Sequence, residues 1–332
     1  MGTKKTQKES EMLVGELKRR SRKALELAKK AILAEKTESK EVQEALEHYT
    51  LYWNDFTHPG LFSIACEAVG TDPDSVLPVQ AAMTMMAAAF DIHDDIIDKS
   101  KAKHGVPTVF GKFGKDVALL LGDAFLIEGL MLFDESLAEL PRAKMKEALR
   151  TLKVALFELG NAHALELDMK YGGEVLPDAY MRVLEMKASS IEGDMRIGAL
   201  VGGGTRSEID SLTRFGRILG ILATLREEFI DVFEVEEMDH RIRSECLPLP
   251  ILYAMKDEKS GIKIQKLVSK ERITSKDIDE LVDCVFRAKS VMELKKKMQS
   301  LVTDSFQLVS RVRNEASKKL LRKLTQNALE DL

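Results

Sequence analysis

The chain has 332 residues, room for two average domains or one large one, and its 45% hydrophobic and 31% charged residues make a normal soluble mixture. A formal net charge of −4 provides no basic field to attract nucleic acid or an anionic membrane, which argues against both as main partners.

The first dozen residues, 1–12, are polar and are expected to be a frayed N-terminal segment. From residue 13 to 332 the periodicity is helical almost everywhere. "ELKRRSRKALELAKKAILAEK" comes first, and a nearly continuous apolar stretch over 76–92 follows. Further on, "AKMKEALRTLKVALFELGNAHALELDM", "RFGRILGILATLREEFIDVF" and the long C-terminal "KSVMELKKKMQSLVTDSFQLVSRVRNEASKKLLRKL" repeat apolar residues at three and four. Alternating strand patterns bounded by turn signals are missing. Proline and glycine cluster in "THPG", "GTDPDSVLP", "KHGVPT", "YGGEVLP" and "VGGGT", which read as short helix connections. Nothing splits the chain, so the expectation is one all-α domain, a single large bundle of about ten helices over 13–332. The longest apolar run, "VLPVQAAMTMMAAAF", is shorter than the roughly 20 residues of a membrane span and reads as a buried helix. Cys66, Cys246 and Cys284 are far apart and form no metal-type pair; with no secretory leader visible, a reducing cytoplasm is the simplest compartment.

Two segments, 76–92 and 215–225, are apolar on nearly every face and should be central helices. Each ends in acids at i, i+1 and i+4: Asp94, Asp95 and Asp98 in the first, Glu227, Glu228 and Asp231 in the second. With 54 acids in the chain, chance supplies roughly one such triple. A third does exist, Asp279, Glu280 and Asp283, but it follows a charged stretch and reads as a solvated face. Carboxylates emerging from a core repel one another and lose hydration, costing several kcal/mol per ion unless compensated. The residues alone leave two compensations open: an internal salt-bridge network, or Mg²⁺ ions shared with a phosphate-bearing substrate.

"DIHDDIIDKSKAKHGVPTVFGKFGKDVALLLGDAFL" resembles, without a gap, the first aspartate-rich region of trans-isoprenyl diphosphate synthases, with DDxxD, a basic pair, Gly-x-Pro-Thr, Phe-Gly and Gly-Asp-Ala. "LEMKASS", "REEFID" and "LPLPILYA" resemble that family's Lys-Thr helix, second aspartate motif and Thr-Leu-Pro stretch, so the resemblance covers about residues 45 to 255. It implies the all-α isoprenoid-synthase fold with a central apolar tunnel. It also implies that two facing acidic motifs hold several Mg²⁺ ions on the diphosphate of an allylic prenyl substrate, which ionises to an allylic carbocation. By that resemblance Asp94, Asp95, Asp98, Glu227, Glu228 and Asp231 are the metal ligands, the two glutamates replacing aspartates. Asp94, Asp95, Asp98 and Lys187 would be catalytic; Lys103, Lys187 and Arg226 would bind the substrate diphosphate. Ala89 and Phe90 would sit where side-chain bulk limits tunnel depth. A homodimer is implied too, or a heteromer with a related synthase.

The departures from the family pattern are informative. Where the family holds isopentenyl diphosphate with Gly-Gly-Lys-Arg-x-Arg-Pro, this chain reads "WNDFTHP", so Asp55, Phe56 and His58 stand in the place of cations. His104 replaces an arginine, Ala87 a histidine, Ala188 a threonine, Thr224 a glutamine and Cys246 a lysine. Asp91 adds a fourth acid that could extend the metal site or bind a basic neighbour. His93 and His163 read as hydrogen-bonded core histidines, and Gly202, Gly203 and Gly204 as a helix connection. Three functions follow in order. The first is a Mg²⁺-dependent prenyltransferase whose acceptor is isopentenyl diphosphate bound atypically, or another molecule. The second is a terpene-synthase-like lyase or cyclase, and the third a non-catalytic subunit of a heteromeric synthase.

Overall fold

The computed structural model describes residues 4–103, 105–173 and 175–330, with side chains from Lys8 onward. Helices α1 (Lys4–Ala34), α2 (Lys40–Tyr52) and α3 (Thr57–Ala68) lead to a 3₁₀ turn over Pro73–Val76 and then to α4 (Leu77–Ile97). A short β1–β2 hairpin (Ala102–Lys103, Val106–Pro107) connects α4 to α5 (Val109–Leu137). The chain continues through α6 (Arg142–Gly172), α7 (Pro177–Lys187), α8 (Ser189–Val201), α9 (Arg206–Asp231) and α10 (Val235–Ser244). It ends in α11 (Leu249–Ala254), α12 (Glu258–Val268), α13 (Ser275–Arg287), α14 (Lys289–Val309) and α15 (Glu315–Asn327).

The all-α expectation holds, with more and shorter helices than the ten anticipated. Three local readings change. The N-terminal segment is helical from Lys4, because its Lys/Glu-rich sequence favours helix and Glu9 pairs with Lys323 at 2.8 Å. "THPG" opens α3 instead of connecting helices, since proline is tolerated in a first turn. "AKHGVP" carries a two-stranded hairpin whose turn uses Gly105 at φ +77°. The helical stretch 73–97 is long and apolar enough to cross a membrane by length and composition, yet 61% of its apolar window is buried inside the protein, as in a core helix.

The two central helices emerge as read. In α4 the run Val79–Met86 is wholly buried, and α9 buries residues from Ile209 to Phe229. Close approach depends on glycine. A Cβ on Gly129 of α5 would stand 2.8 Å from Met86, and one on Gly220 of α9 would stand 2.7 Å from the Ala188 methyl. The start of α9 is fixed by a capping box, Thr205 with Glu208, and Arg313 reaches back to clamp Glu208. The third acid triple lies on α13 with Asp279 and Asp283 exposed, as expected of a solvated face.

One junction controls where Lys103 points. Thr108 caps α5 by accepting the Gly111 N–H, donates its hydroxyl to the Ser100 carbonyl at 2.7 Å, and donates its N–H to the Lys101 carbonyl at 3.0 Å. A Cβ on Gly111 would fall 1.9 Å from that same Lys101 oxygen. Gly111→Ala should therefore displace the hairpin, lowering the thermal midpoint by the equivalent of about 1–3 kcal/mol, as overpacking does. Calorimetric melting of the variant checks this; an unchanged midpoint would mean the junction yields freely.

Candidate active site

The C-terminal ends of α4 and α9 carry the acids. Asp91, Asp94 and Asp95 lie on the last two turns of α4, and Asp98 is its C-cap residue. Each acid has a different neighbourhood. Asp94 faces His163 of α6, with Nδ1 3.1 Å from Oδ1. Burial acts against its ionisation, but the His163 contact and nearby Lys187 hold its carboxyl below the usual range. Asp95 and Asp91 share Lys103, whose ammonium lies 2.8 Å and 2.7 Å from them. Burial lifts Asp95 to about 6 despite that cation. Asp98 has no such counter-ion close by; burial first, and then the Asp94 charge, push it to about 8.

Lys187, at the end of α7, is largely buried and reaches Glu166 of α6 at 2.5 Å. Burial alone would lower it, and the carboxylates of Glu166 and Asp94 instead drive it up, so it is a firm cation. From Glu166 a polar network runs to α9. The Tyr180 hydroxyl lies 3.0 Å from Glu166 Oε1 and 3.2 Å from Glu228 Oε1. Arg241 of α10 donates to the Tyr180 oxygen at 3.1 Å and to Glu228 Oε1 at 2.8 Å, and pairs with Asp231 and Glu245, each at 3.3 Å. The Leu249 N–H donates to Glu228 Oε2 at 2.6 Å. Asp231 is nonetheless raised to about 7, by burial and by repulsion from Glu228, with Arg241 opposing.

This geometry corrects several sequence readings. Glu228 is buried with both oxygens engaged by the chain itself, so the salt-bridge compensation applies to it. Arg226 is engaged at the C-terminal end, donating to the carbonyls of Asn327, the last residue of α15, and of Glu330. Asp91 binds a basic neighbour, Lys103. His163 touches Asp94 and so belongs to the site, whereas His93 reaches only Asp123 of α5, at 3.3 Å. Glu227 lies exposed on α9 and has an interaction of its own. His104 is outside the described residues. Glu166, Tyr180, Arg241 and Glu245 were not anticipated. His163 and Glu166, spaced i, i+3 on an amphipathic helix, were the available signal.

Beneath Asp94 opens an apolar cavity of about 230 Å³, lined chiefly by Met83, Met86, Ala87, Phe90, Leu156 and Leu159. Phe90 thus forms part of the wall as expected. Ala89 does not: it packs, fully buried, in the cluster shared with α5. A second cavity of about 620 Å³ lies beside it, against "HYTLYWNDFTHP" and the hairpin, and both cavities are lined by His58, Ala87 and Asp91. The departures from the family pattern have local roles. Asp55 accepts the Thr57 and His58 N–H groups, which begins α3; Phe56 lies under Lys18 at 5.1 Å; His58 pairs with buried Asp194 at 2.6 Å. Among the described residues, no three His, Cys, Asp or Glu side chains converge closely enough to hold a metal ion by themselves.

Residues 39–285, most of the chain, match the family described as Polyprenyl synthetase, and the chain belongs to that family. It is 27% identical over 239 residues to a short chain isoprenyl diphosphate synthase of Methanothermobacter thermautotrophicus, covering 72% of this chain and 70% of that protein. It is 31% identical over 205 residues to the large subunit 1 of a heterodimeric, chloroplastic geranylgeranyl pyrophosphate synthase of Arabidopsis thaliana, covering 58% of this chain and 54% of that one. In fold it is similar to geranylgeranyl pyrophosphate synthetase from Pyrococcus horikoshii, with a TM-score of 0.84 at 21% identity over 97% of this chain and 99% of that one.

Two outcomes follow from the charge arrangement. Arg241→Met strands Glu228 in the core and should cost about 3–5 kcal/mol of stability, and adding Glu228→Leu should recover much of it. Denaturant melts of the single and double variants measure this, and full additivity would contradict the pairing. Asp98 ionises near pH 8 when folded but near the ordinary 3.8 when unfolded, so the folded chain keeps its proton longer and loses stability as pH rises between those values. Asp98→Asn should make the metal-free protein more stable at pH about 8 and change little at pH about 4.

Proposed function

We propose that this member of the polyprenyl synthetase family is a Mg²⁺-dependent prenyltransferase that ionises an allylic prenyl diphosphate and passes the prenyl group to an acceptor. One arrangement carries the reading: Asp94 lines an apolar cavity and lies near the cation Lys187, while burial holds Asp98 and Asp231 above the usual carboxylate range. The names of the relatives give no support to a lyase.

The donor set fits the metal. Asp94, Asp98 and Asp231 offer hard carboxylate oxygens, and Asp98 and Asp231 are lifted to about 8 and about 7 first by burial and then by neighbouring carboxylates, a charge that a cation would relieve. Because too few side chains converge to chelate an ion alone, substrate phosphate oxygens would complete its coordination. Bound Mg²⁺ would neutralise the leaving diphosphate. The chain's own residues supply the rest. Lys187, held by Glu166, presents a fixed positive charge toward the diphosphate. Asp94 is oriented by His163. Phe90, Met86 and Leu156 keep water from the reacting end of the prenyl chain.

The acceptor side lacks what a second diphosphate needs. The cations lining that cavity are already committed, Lys103 to Asp91 and Asp95 and His58 to Asp194, so the acceptor is held otherwise than isopentenyl diphosphate usually is. We also read the protein as a cytoplasmic self-associating enzyme. Its three cysteines are free, and α5 and α6 expose Leu120, Ile127, Met131, Val154 and Phe157, more apolar surface than isolated helices normally leave wet. The Arabidopsis relative is named as heterodimeric, so a related partner is the variant of this reading.

Asp94→Asn and Asp98→Asn should each lower Mg²⁺-dependent diphosphate release from an allylic diphosphate by about a hundredfold or more, which turnover assays with geranyl, farnesyl and geranylgeranyl diphosphates would show. Undiminished release from both would sink the reading. Phe157→Glu should shift the protein to a smaller species in analytical ultracentrifugation, and an unaltered profile would place the contact elsewhere.

A further inference from the structure

The larger cavity has a chemistry of its own. Its wall is built from His48, Tyr49, Tyr52 and Trp53, the chain's one tryptophan. The rings fall into two groups: His48–Tyr52 centroids are 5.1 Å apart, and Tyr49–Trp53 are 5.6 Å apart with Trp53 backed by Phe125 at 5.3 Å. The Trp53 indole N–H is buried and has no hydrogen-bond partner, an arrangement that costs stability unless a ligand atom accepts it. Three carboxylates line the same space, those of Asp55, Asp91 and Asp95. Lys112 lies 3.3 Å from His48, over the Phe113 ring, outside the lining itself.

We propose that this cavity takes a neutral, electron-rich aromatic acceptor, a phenol or an indole, in place of a second diphosphate. Aromatic walls favour a planar ring through offset and edge contacts, and because Lys103 and His58 in the lining are already paired with carboxylates, the space suits a neutral hydroxyl or ring N–H better than an anion. Ala87 and Asp91 border both cavities, so a ring here would lie beside the prenyl chain in the smaller one. In the transfer, the C1–O bond of the allylic diphosphate breaks and the diphosphate leaves with the electron pair. A π pair of the ring then forms the new C–C bond, and the proton of that ring carbon passes to the released diphosphate.

The proposal rests on the prenyltransferase reading, and its test separates the two. The full-length protein with Mg²⁺ and each allylic diphosphate is given indole, a naphthol or isopentenyl diphosphate, and release and product masses are recorded. Prenylated indole or naphthol, with release raised about tenfold or more over water alone, is the expected result. Trp53→Ala and the exposed Tyr52→Ala should each cut that rise by about tenfold, the size of one ring contact, while release into water persists. Tyr52 is half exposed, so its variant keeps the test valid if Trp53→Ala misfolds. Longer prenyl diphosphates made only with isopentenyl diphosphate would overturn the aromatic acceptor and leave the prenyltransferase reading standing. Release into water that neither aromatic raises would overturn it as well. No release under any condition would overturn both.

Discussion

Everything about this fold answers to one constraint, the gathering of like charges at the ends of two helices that are otherwise apolar. The middle of α4 and α9 is mostly apolar, but their C-terminal turns deliver Asp91, Asp94, Asp95 and Asp98 from one side and Glu227, Glu228 and Asp231 from the other. Only some of this charge is matched from within the chain. Arg241 carries Glu228 and leans on Asp231; Lys103 carries Asp91 and Asp95; Lys187 is bound to Glu166. Asp98 and Asp231 are left to protonate upward of their ordinary values, which is the signature of a site kept electrostatically unfinished.

The division between matched and unmatched acids separates structure from chemistry. Glu228, with its three donors, is a strut. It ties α9 to α7, α10 and the start of α11 through Tyr180, Arg241 and the Leu249 N–H. A glutamate reaches these partners through its extra methylene, so the longer side chain at 228 suits a role in support. Asp94 and Asp98 keep the shorter side chain; His163 orients Asp94, while Asp98 has no counter-ion of its own.

The helices and the acid ends were legible because hydrophobic periodicity and i, i+4 spacing are local properties. Residues 76–92 announced a buried helix, and α4 is one. What was not legible depends on distant partners. Arg241 reads as one of many basic residues until α10 folds back on α9, and nothing near Arg226 says that it will bind carbonyls at the C-terminal end. Ala89 and Phe90 are adjacent in sequence but a third of a helical turn apart, so one joins the α5 packing while the other meets the cavity. The hairpin was missed because two residues per strand are too few for an alternating pattern to register.

The smaller cavity is walled in part by Met83 and Met86, neighbouring rungs of α4. Unbranched thioethers adapt their shape to an irregular guest, which suits a flexible prenyl chain. The same sulfurs are the softest atoms in the wall. Oxidation to the sulfoxide would plant a strong dipole on a surface whose purpose is dryness, admitting water beside a carbocation and ending the reaction as an alcohol. Fidelity would then depend on two side chains that take no part in binding charge.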